Sequence, residues 1–285
     1  MYSLPTIALK RVIRDIKEIN DDDTLKKNGI YITFNENNLT KIRAMIIGPK
    51  DTPYEGGFYL FEFTIPQSYP FEPPKGVFMT RDPKGKCRFH PNLYIDGKIC
   101  LSLLNTWAGE SWASTQSLSS VLLSIQSIMG ENPLVNEPSF EIVKKGMHDL
   151  YNYVVQYENF RTPIIHEMTA PNGLLDEYKC FLPIMEEYFV NNYQSYINKC
   201  SALQKEFDGK TVTSPVYSNM TVTFDYASIL KSLENIYNTL APKYSKPKEP
   251  IQTTQDVTTP DVTDPNHNQS AESTKKKIVI VKKKL

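Results

Sequence analysis

The chain has no long apolar run. No window approaches the roughly 20 consecutive apolar residues that a bilayer-spanning helix needs, and the N-terminus lacks the apolar core of a secretory leader. It also has no net charge: 285 residues carry 32 basic and 32 acidic side chains, so nothing in the balance calls for nucleic acid, although a local patch can still meet an acidic partner. Cysteine is scarce and scattered. Cys87, Cys100, Cys180 and Cys200 show no CxxC spacing, which argues against a zinc knuckle or a disulfide framework and for a reducing compartment. Histidine is equally scarce, and His90, His148, His166 and His267 have no recognisable triad partner, so a cysteine hydrolase lacks its base. These absences point to the cytoplasm or nucleus, with a virion or other particle left open, and to no membrane partner.

What is present is a set of periodic segments. Leu9, Val12, Ile13, Ile16 and Ile19 recur at helical spacing from about Pro5 to Asn20, with Lys10, Arg11, Arg14 and Lys17 on the remaining surface. Ile30, Ile32 and Phe34 alternate, Asn35-Glu36-Asn37-Asn38 turns the chain, and Ile42, Ala44 and Ile46 alternate again, which predicts a hairpin over 30–47. Phe58 to Ile65 reads as a further strand and Val77 to Met79 as a short neighbour. Pro66, Pro70, Pro73 and Pro74 keep the stretch between them out of any ladder. No strand-helix-strand repeat occurs, so the class is α+β: an N-terminal helix, a small antiparallel sheet and following helices.

Leu118, Val121, Leu122, Ile125 and Ile128 predict a second helix that stops near Asn132-Pro133, and Phe140 to about Asn159 a third, carrying Ile142, Val143, Leu150 and Val154. After Pro171-Asn172-Gly173 a long aromatic and aliphatic pattern runs from Leu174 and Leu175 to Ile197. Pro183 falls inside it, so one kinked helix or two short ones are expected. Tyr178, Phe181, Leu182, Met185, Tyr188 and Phe189 present more apolar surface than a free helix exposes, so the preceding domain, a second copy or a partner must cover them. Covering by the same chain is favoured, because it costs no translational entropy. Lys210 to Tyr226 fits no element, and Ala227 to Leu240 reads as a helix. Proline, threonine, aspartate and lysine then replace the apolar pattern. The expected organisation is a domain over 1–159, a mostly helical extension over 160–240 and a disordered tail over 241–285 with lysines at 275–277 and 282–284.

The chemistry centres on Cys100, in Phe89-His90-Pro91-Asn92-Leu93-Tyr94-Ile95-Asp96-Gly97-Lys98-Ile99-Cys100. An isolated cysteine most often packs as a small hydrophobe. Here Pro91, Asn92, Asp96 and Gly97 make a buried strand improbable and leave the thiol on a turn. A protein that carries an acyl group on sulfur needs a reachable thiol and a donor that steadies the oxyanion when a nucleophile attacks. Asn92, eight residues upstream across the turn, is placed to be that donor.

This segment resembles the active-site signature of ubiquitin-conjugating enzymes. The resemblance continues in Gly48-Pro49-Lys50-Asp51-Thr52-Pro53-Tyr54-Glu55-Gly56-Gly57-Phe58-Tyr59, Tyr69-Pro70-Phe71-Glu72-Pro73-Pro74-Lys75, Leu101-Ser102-Leu103-Leu104, Trp112 and Val121 to Ile128. It covers about residues 5 to 155, and with the region after 160 the chain is most similar in pattern to the large atypical members with a C-terminal helical extension. The resemblance implies that Cys100 is the thioester nucleophile, that Asn92 stabilises the oxyanion or the loop, and that Glu137 is an acidic gate. His90, Pro91, Phe89, Trp107 and Trp112 would be structural at the site. Phe71, Ser114 and Thr115 would face a RING-type or HECT-type ligase, and Lys10, Arg11 and Arg14 would dock the ubiquitin-activating enzyme or the ligase.

The implied partners are ubiquitin, that activating enzyme, a ligase and protein substrates, with no nucleic acid. The implied cofactors are none bound, ATP being used upstream by the activating enzyme. Departures from the common pattern are Phe89 for tyrosine, Ser102 for aspartate and Ala113-Ser114-Thr115 after Trp112. Trp107, in a loop longer than the shortest members have, is expected to anchor that loop. Two alternatives remain: a weak or inactive ubiquitin-binding scaffold of the same fold, and a conjugating enzyme for another ubiquitin-like protein.

Overall fold

A computed structural model describes residues 4–140, 145–169 and 176–244. The expected Ile142, Val143, Leu174 and Leu175, the Pro171-Asn172-Gly173 opening and the chain from 245 onward lie outside the described residues.

Helix α1 (Thr6–Asp21) buries Ala8, Val12, Ile16 and Ile19. Leu9 and Ile13, expected on the same stripe, are 37% and 50% exposed, because each residue is rotated by about 100° from its neighbour and the pair lies at the edge of the Ala8–Ile19 face. A short helix α2 (Asp23–Lys27) follows, capped by the Asp22 side chain on the Thr24 N–H. The sheet is antiparallel in the order β1 (Ile30–Asn35), β2 (Asn38–Ile47), β3 (Phe58–Thr64), β4 (Lys75–Phe78). β4 begins earlier than expected, since Lys75 already pairs with Thr64.

Register decides which side chains share a face. Ile32, Ala44, Phe61 and Phe78 stand in one row and Ile46 and Tyr59 in the next. This face closes a single apolar core with α1, with Leu118, Val121, Leu122 and Ile125 of α3 (Leu118–Ile128), and with Tyr151, Val154 and Val155 of α4 (Lys145–Asn159). α3 ends at Ile128, a few residues before Asn132-Pro133, and starts from a reciprocal Ser117–Ser120 cap.

The opposite face carries Met45, Ile47, Phe58 and Leu60, and Tyr178, Phe181 and Met185 cover it. The covering segment is a 3-10 turn over Asp176–Phe181 that leads into one uninterrupted helix, numbered α6 below (Leu182–Phe207). Pro183 neither kinks nor splits this helix. It occupies the first turn, where its missing N–H would have had no helical acceptor. The boundary placed after residue 159 falls within continuous helical chain: α4 passes into a π-helical turn over Phe160–His166, which contains Pro163, and then into α5 (Glu167–Thr169).

The unassigned segment after Lys210 is a small hairpin, β5 (Thr211–Thr213) paired with β6 (Thr221–Thr223), closed by threonine hydroxyl pairs at 2.8 and 2.9 Å. α7 (Tyr226–Tyr244) packs on α6, with the Tyr193 and Tyr237 rings stacked at 3.8 Å. Tyr157, Phe160 and Ile164 sit in a second core with Phe189, Tyr196, Phe224 and Leu233. No helix among the described residues is long and apolar enough to cross a membrane.

Candidate active site

The Cys100 loop is an irregular excursion whose turns are closed by backbone hydrogen bonds. Phe78 N–H donates to Gly97 O, Tyr94 N–H to Lys98 O, Leu93 N–H to His90 O and Cys100 N–H to Asn92 O, all at 2.8–2.9 Å. Gly97 turns the chain at φ +96°, and a Cβ there would meet the Arg81 guanidinium at 2.6 Å. Phe89 is fully buried, edge-on to Tyr59 and Phe78, and its carbonyl accepts from Tyr54 Oη at 2.8 Å. The buried phenyl ring fills this place without a hydroxyl.

His90 is completely buried, and its Nδ1 accepts the Asn92 N–H at 2.9 Å. Burial pushes its pKa down to about 3. The neutral ring has therefore committed its acceptor nitrogen to the turn and has none left to take a proton from an attacking amine. Asn92 and Cys100 are joined twice: besides the backbone bond, Asn92 Nδ2 donates to the Cys100 carbonyl at 2.8 Å. The second hydrogen on Nδ2 remains available, and Oδ1 is buried without a protein partner.

Cys100 is 1% exposed, at the base of a cleft of about 340 Å³ lined by Asn92, Leu101, Ser102, Trp107, Ile128, Val135, Asn136 and Pro138. No carboxylate is among these lining residues. Glu137 lies within the same wall, but its Oε2 accepts the hydroxyl of Tyr217, from the loop of the β5–β6 hairpin. Trp107 is 45% exposed on the cleft rim, so it is not buried as a loop anchor. Trp112 does the anchoring: its Nε1 donates to Pro70 O at 2.7 Å, its N–H to Asn105 Oδ1 at 2.9 Å, and its ring lies 5.9 Å from that of Tyr69.

Phe71, next to the Pro70 whose carbonyl takes that indole bond, is 70% exposed. Arg11 is not a surface residue of α1. Its side chain is 9% exposed, pairs with Asp15 at 2.8 Å and donates to the carbonyls of Ser114 and Gln116. Asp15, itself buried, also accepts from Tyr69 Oη and from the Leu118 N–H. A guanidinium that fills its donors inside the chain ties α1 to the loop instead of offering a free docking charge. Lys10 and Arg14 are exposed, Arg14 beside Glu18 at 3.4 Å.

A larger cavity of about 610 Å³ opens between the Asp82–Cys87 loop and the extension, and Cys100 is not among its lining residues. Burial raises the Cys87 thiol far above the ordinary range, pushes Cys200 up to about 12 and raises Cys180. All four cysteines are free. The roles of Arg88, Val135, Asn136 and Tyr217 around the cleft carry no local sequence signal.

The family model described as ubiquitin-conjugating enzyme matches residues 11–157. Ubiquitin-conjugating enzyme E2 Z of Xenopus tropicalis is 38% identical over 242 residues, which is 83% of this chain and 73% of that protein. The Homo sapiens protein of the same name is 38% identical over 245 residues, 81% of this chain and 65% of that one. Probable ubiquitin-conjugating enzyme protein 17 of Caenorhabditis elegans is 44% identical over 203 residues, 67% and 28% of the two chains. An alignment over 242 residues is too long to fit within 11–157, so the likeness to E2 Z takes in the extension as well as the domain. A cysteine on a turn bonded twice to an asparagine, on an α+β body matched over its length, identifies the chain as a member of the ubiquitin-conjugating enzyme family, similar to its large members with a C-terminal extension.

Proposed function

We propose that Cys100 accepts ubiquitin as a thioester and passes it on. The Cys100 thiolate attacks the carbonyl of the modifier's C-terminal thioester on the activating enzyme, and that enzyme's thiolate leaves. In the second step a substrate lysine amine, or a ligase cysteine, attacks the Cys100 thioester. The tetrahedral intermediate collapses with Cys100 thiolate as leaving group, and the amine's proton passes to solvent. Asn92 carries a hydrogen on Nδ2 that is free to meet the developing oxyanion while its other hydrogen holds the Cys100 carbonyl. No carboxylate is among the described residues that line the cleft, so the attacking amine gives up its proton to solvent. Phe71 with Ser114 and Thr115 would face a ligase, and Lys10 and Arg14 would meet the activating enzyme.

The single observation that carries this reading is the double Asn92–Cys100 bond at the base of the cleft. The test is charging with purified activating enzyme, ATP and ubiquitin, read on a non-reducing gel. Wild type should give a thiol-sensitive adduct, and Cys100→Ser should give only a slower, thiol-resistant oxyester. A thiol-sensitive adduct on Cys100→Ser would overturn the assignment, and parallel reactions with other ubiquitin-like proteins identify the modifier.

A further inference from the structure

We infer that Tyr217, in the extension, is a positioning residue for transfer from Cys100: it clamps the two walls of the thiol cleft from outside. This rests on the thioester reading above only for its effect on transfer. The clamp itself is a matter of geometry.

One wall is the stretch Val135–Pro138. Glu137, at its middle, accepts the Tyr217 hydroxyl, a bond to a charged acceptor across 80 residues of sequence. The other wall is the Asn92 turn. Arg88 reaches it through Nη2, which donates to the Pro91 carbonyl next to Asn92. The Arg88 guanidinium lies over two rings, 3.7 Å from the Tyr94 centroid and 4.8 Å from that of Tyr217. Tyr217 therefore touches one wall through its hydroxyl and the other through its ring and Arg88.

The residue that does this is itself held firmly. Ser214 Oγ accepts the N–H groups of Val216 and Tyr217 at 3.3 and 3.2 Å, and Met220 N–H donates to Tyr217 O at 2.8 Å. Met220 is buried, and its sulfur accepts the Arg88 N–H at 3.4 Å. The Tyr217 ring stands edge-on to Tyr151 at 6.1 Å, and Tyr151 Oη donates to the Arg88 carbonyl at 2.8 Å. The hairpin thus grips Arg88 at its N–H, and Tyr151 holds its carbonyl, while the guanidinium carries the load to Pro91. Cys100 is 1% exposed at the base of the cleft, so parting of these walls raises the access of a reagent or partner to it. The clamp controls how often they part.

The test is Tyr217→Phe in the full chain, which removes the hydroxyl and keeps the ring against Arg88 and Tyr151. Two rates are read. The first is alkylation of Cys100 by iodoacetamide, followed by peptide mass spectrometry with Cys180 as internal reference. The bond to Glu137 is charge-assisted, so its loss should raise the open population and the Cys100 rate roughly five- to fiftyfold, with Cys180 unchanged. The second is single-turnover discharge of the charged enzyme onto free lysine. It should fall about fivefold or more in the rate at saturating lysine, with charging within about twofold of wild type. In a Glu137→Ala background the same substitution should add nothing to either effect, because the bond is already gone.

An unchanged Cys100 alkylation rate overturns the clamp, as does an equal rise at Cys100 and Cys180, which would mean general loosening. Unchanged discharge with raised alkylation overturns the role in transfer. Failure of wild type to charge would refute the thioester reading while the alkylation ratio still decides the clamp.

Discussion

Between Phe89 and Leu101 the chain sinks Phe89, Leu93, Ile99 and Leu101 into the domain core, but its turn is shaped by hydrogen bonds. Between Asp176 and Tyr244 it is held mainly by ring area, with side-chain bonds to the domain from Tyr178, Tyr196, Lys199 and Tyr217. In the loop, His90, Asn92, Gly97 and Cys100 each give or take a backbone bond within the loop or to β4. In the extension, Tyr178, Phe181 and Met185 cover the outer sheet face, and two hydroxyls, Tyr178 on Phe61 O at 3.2 Å and Tyr196 on Gly56 O at 2.7 Å, fix the alignment. Directional bonds hold atoms in place for chemistry, whereas area supplies stability with less demand on geometry. One molecule uses both, each where its task requires.

The comparison breaks most visibly if the extension is removed. A chain truncated after Thr169 bares Met45, Ile47, Phe58 and Leu60, side chains worth about 1.5–3 kcal/mol each when fully buried. The loss, on the order of 5–10 kcal/mol, rivals the whole stability of a domain. Calorimetry should show the melting temperature lowered by roughly 10 °C or more, or no cooperative transition. A truncated chain that melts like the full one would show that the outer face does not need its cover.

Substitution in the loop should have the reverse profile. Asn92→Ala deletes one side-chain bond to Cys100 O and removes the free N–H. Discharge of the thioester onto lysine should fall roughly ten- to a thousandfold, while charging and melting change little. If charging and discharge fall together, Asn92 serves to hold the loop rather than to stabilise the oxyanion.

The smallest effect sharpens the contrast by pH. His90 in the loop is held near pKa 3, below the 6.5 of a free imidazole, by burial. Its contribution to stability is complete above about pH 6.5 and declines as pH falls toward 3. Glu167, between the domain and the extension, is pushed the other way, to about 8, by burial alone. Its contribution is complete below about pH 4.5 and is lost as pH rises through 8. Urea unfolding across pH 4–9 should show stability nearly level from pH 4.5 to 6.5, where the two oppose each other, and falling from 6.5 to 8; Glu167→Gln should remove that fall and make stability rise with pH between 4.5 and 6.5.

The domain was legible because its patterns are short-ranged: Ile30–Ile46 alternates with period two, and Val12, Ile16 and Ile19 repeat once per turn. The Asn92–Cys100 pairing was legible because the two are eight residues apart on a turn whose residues cannot continue a strand. What stayed hidden depends on distant partners. Arg11 reads as a solvated charge until the Ser114 and Gln116 carbonyls, more than a hundred residues on, are seen to surround it. Pro183 reads as a break unless the start of its helix is known. Tyr217 lies in a Thr- and Val-rich segment with no period, and its bond to Glu137 spans 80 residues. A hydroxyl that chooses one carboxylate among many leaves no mark on hydropathy.

Gly56, in the loop before β3, adopts φ +70°, and a methyl group placed on it would stand 2.5 Å from the Tyr196 hydroxyl oxygen. That hydroxyl donates to the same residue's carbonyl from 140 positions later in the chain. The seat of α6 on the domain is thus written as a missing atom. A side chain here would strain the turn by its φ and, in the same stroke, evict the tyrosine that aligns the far end of the molecule. The empty space at one glycine keeps two distant stretches of sequence answerable to each other.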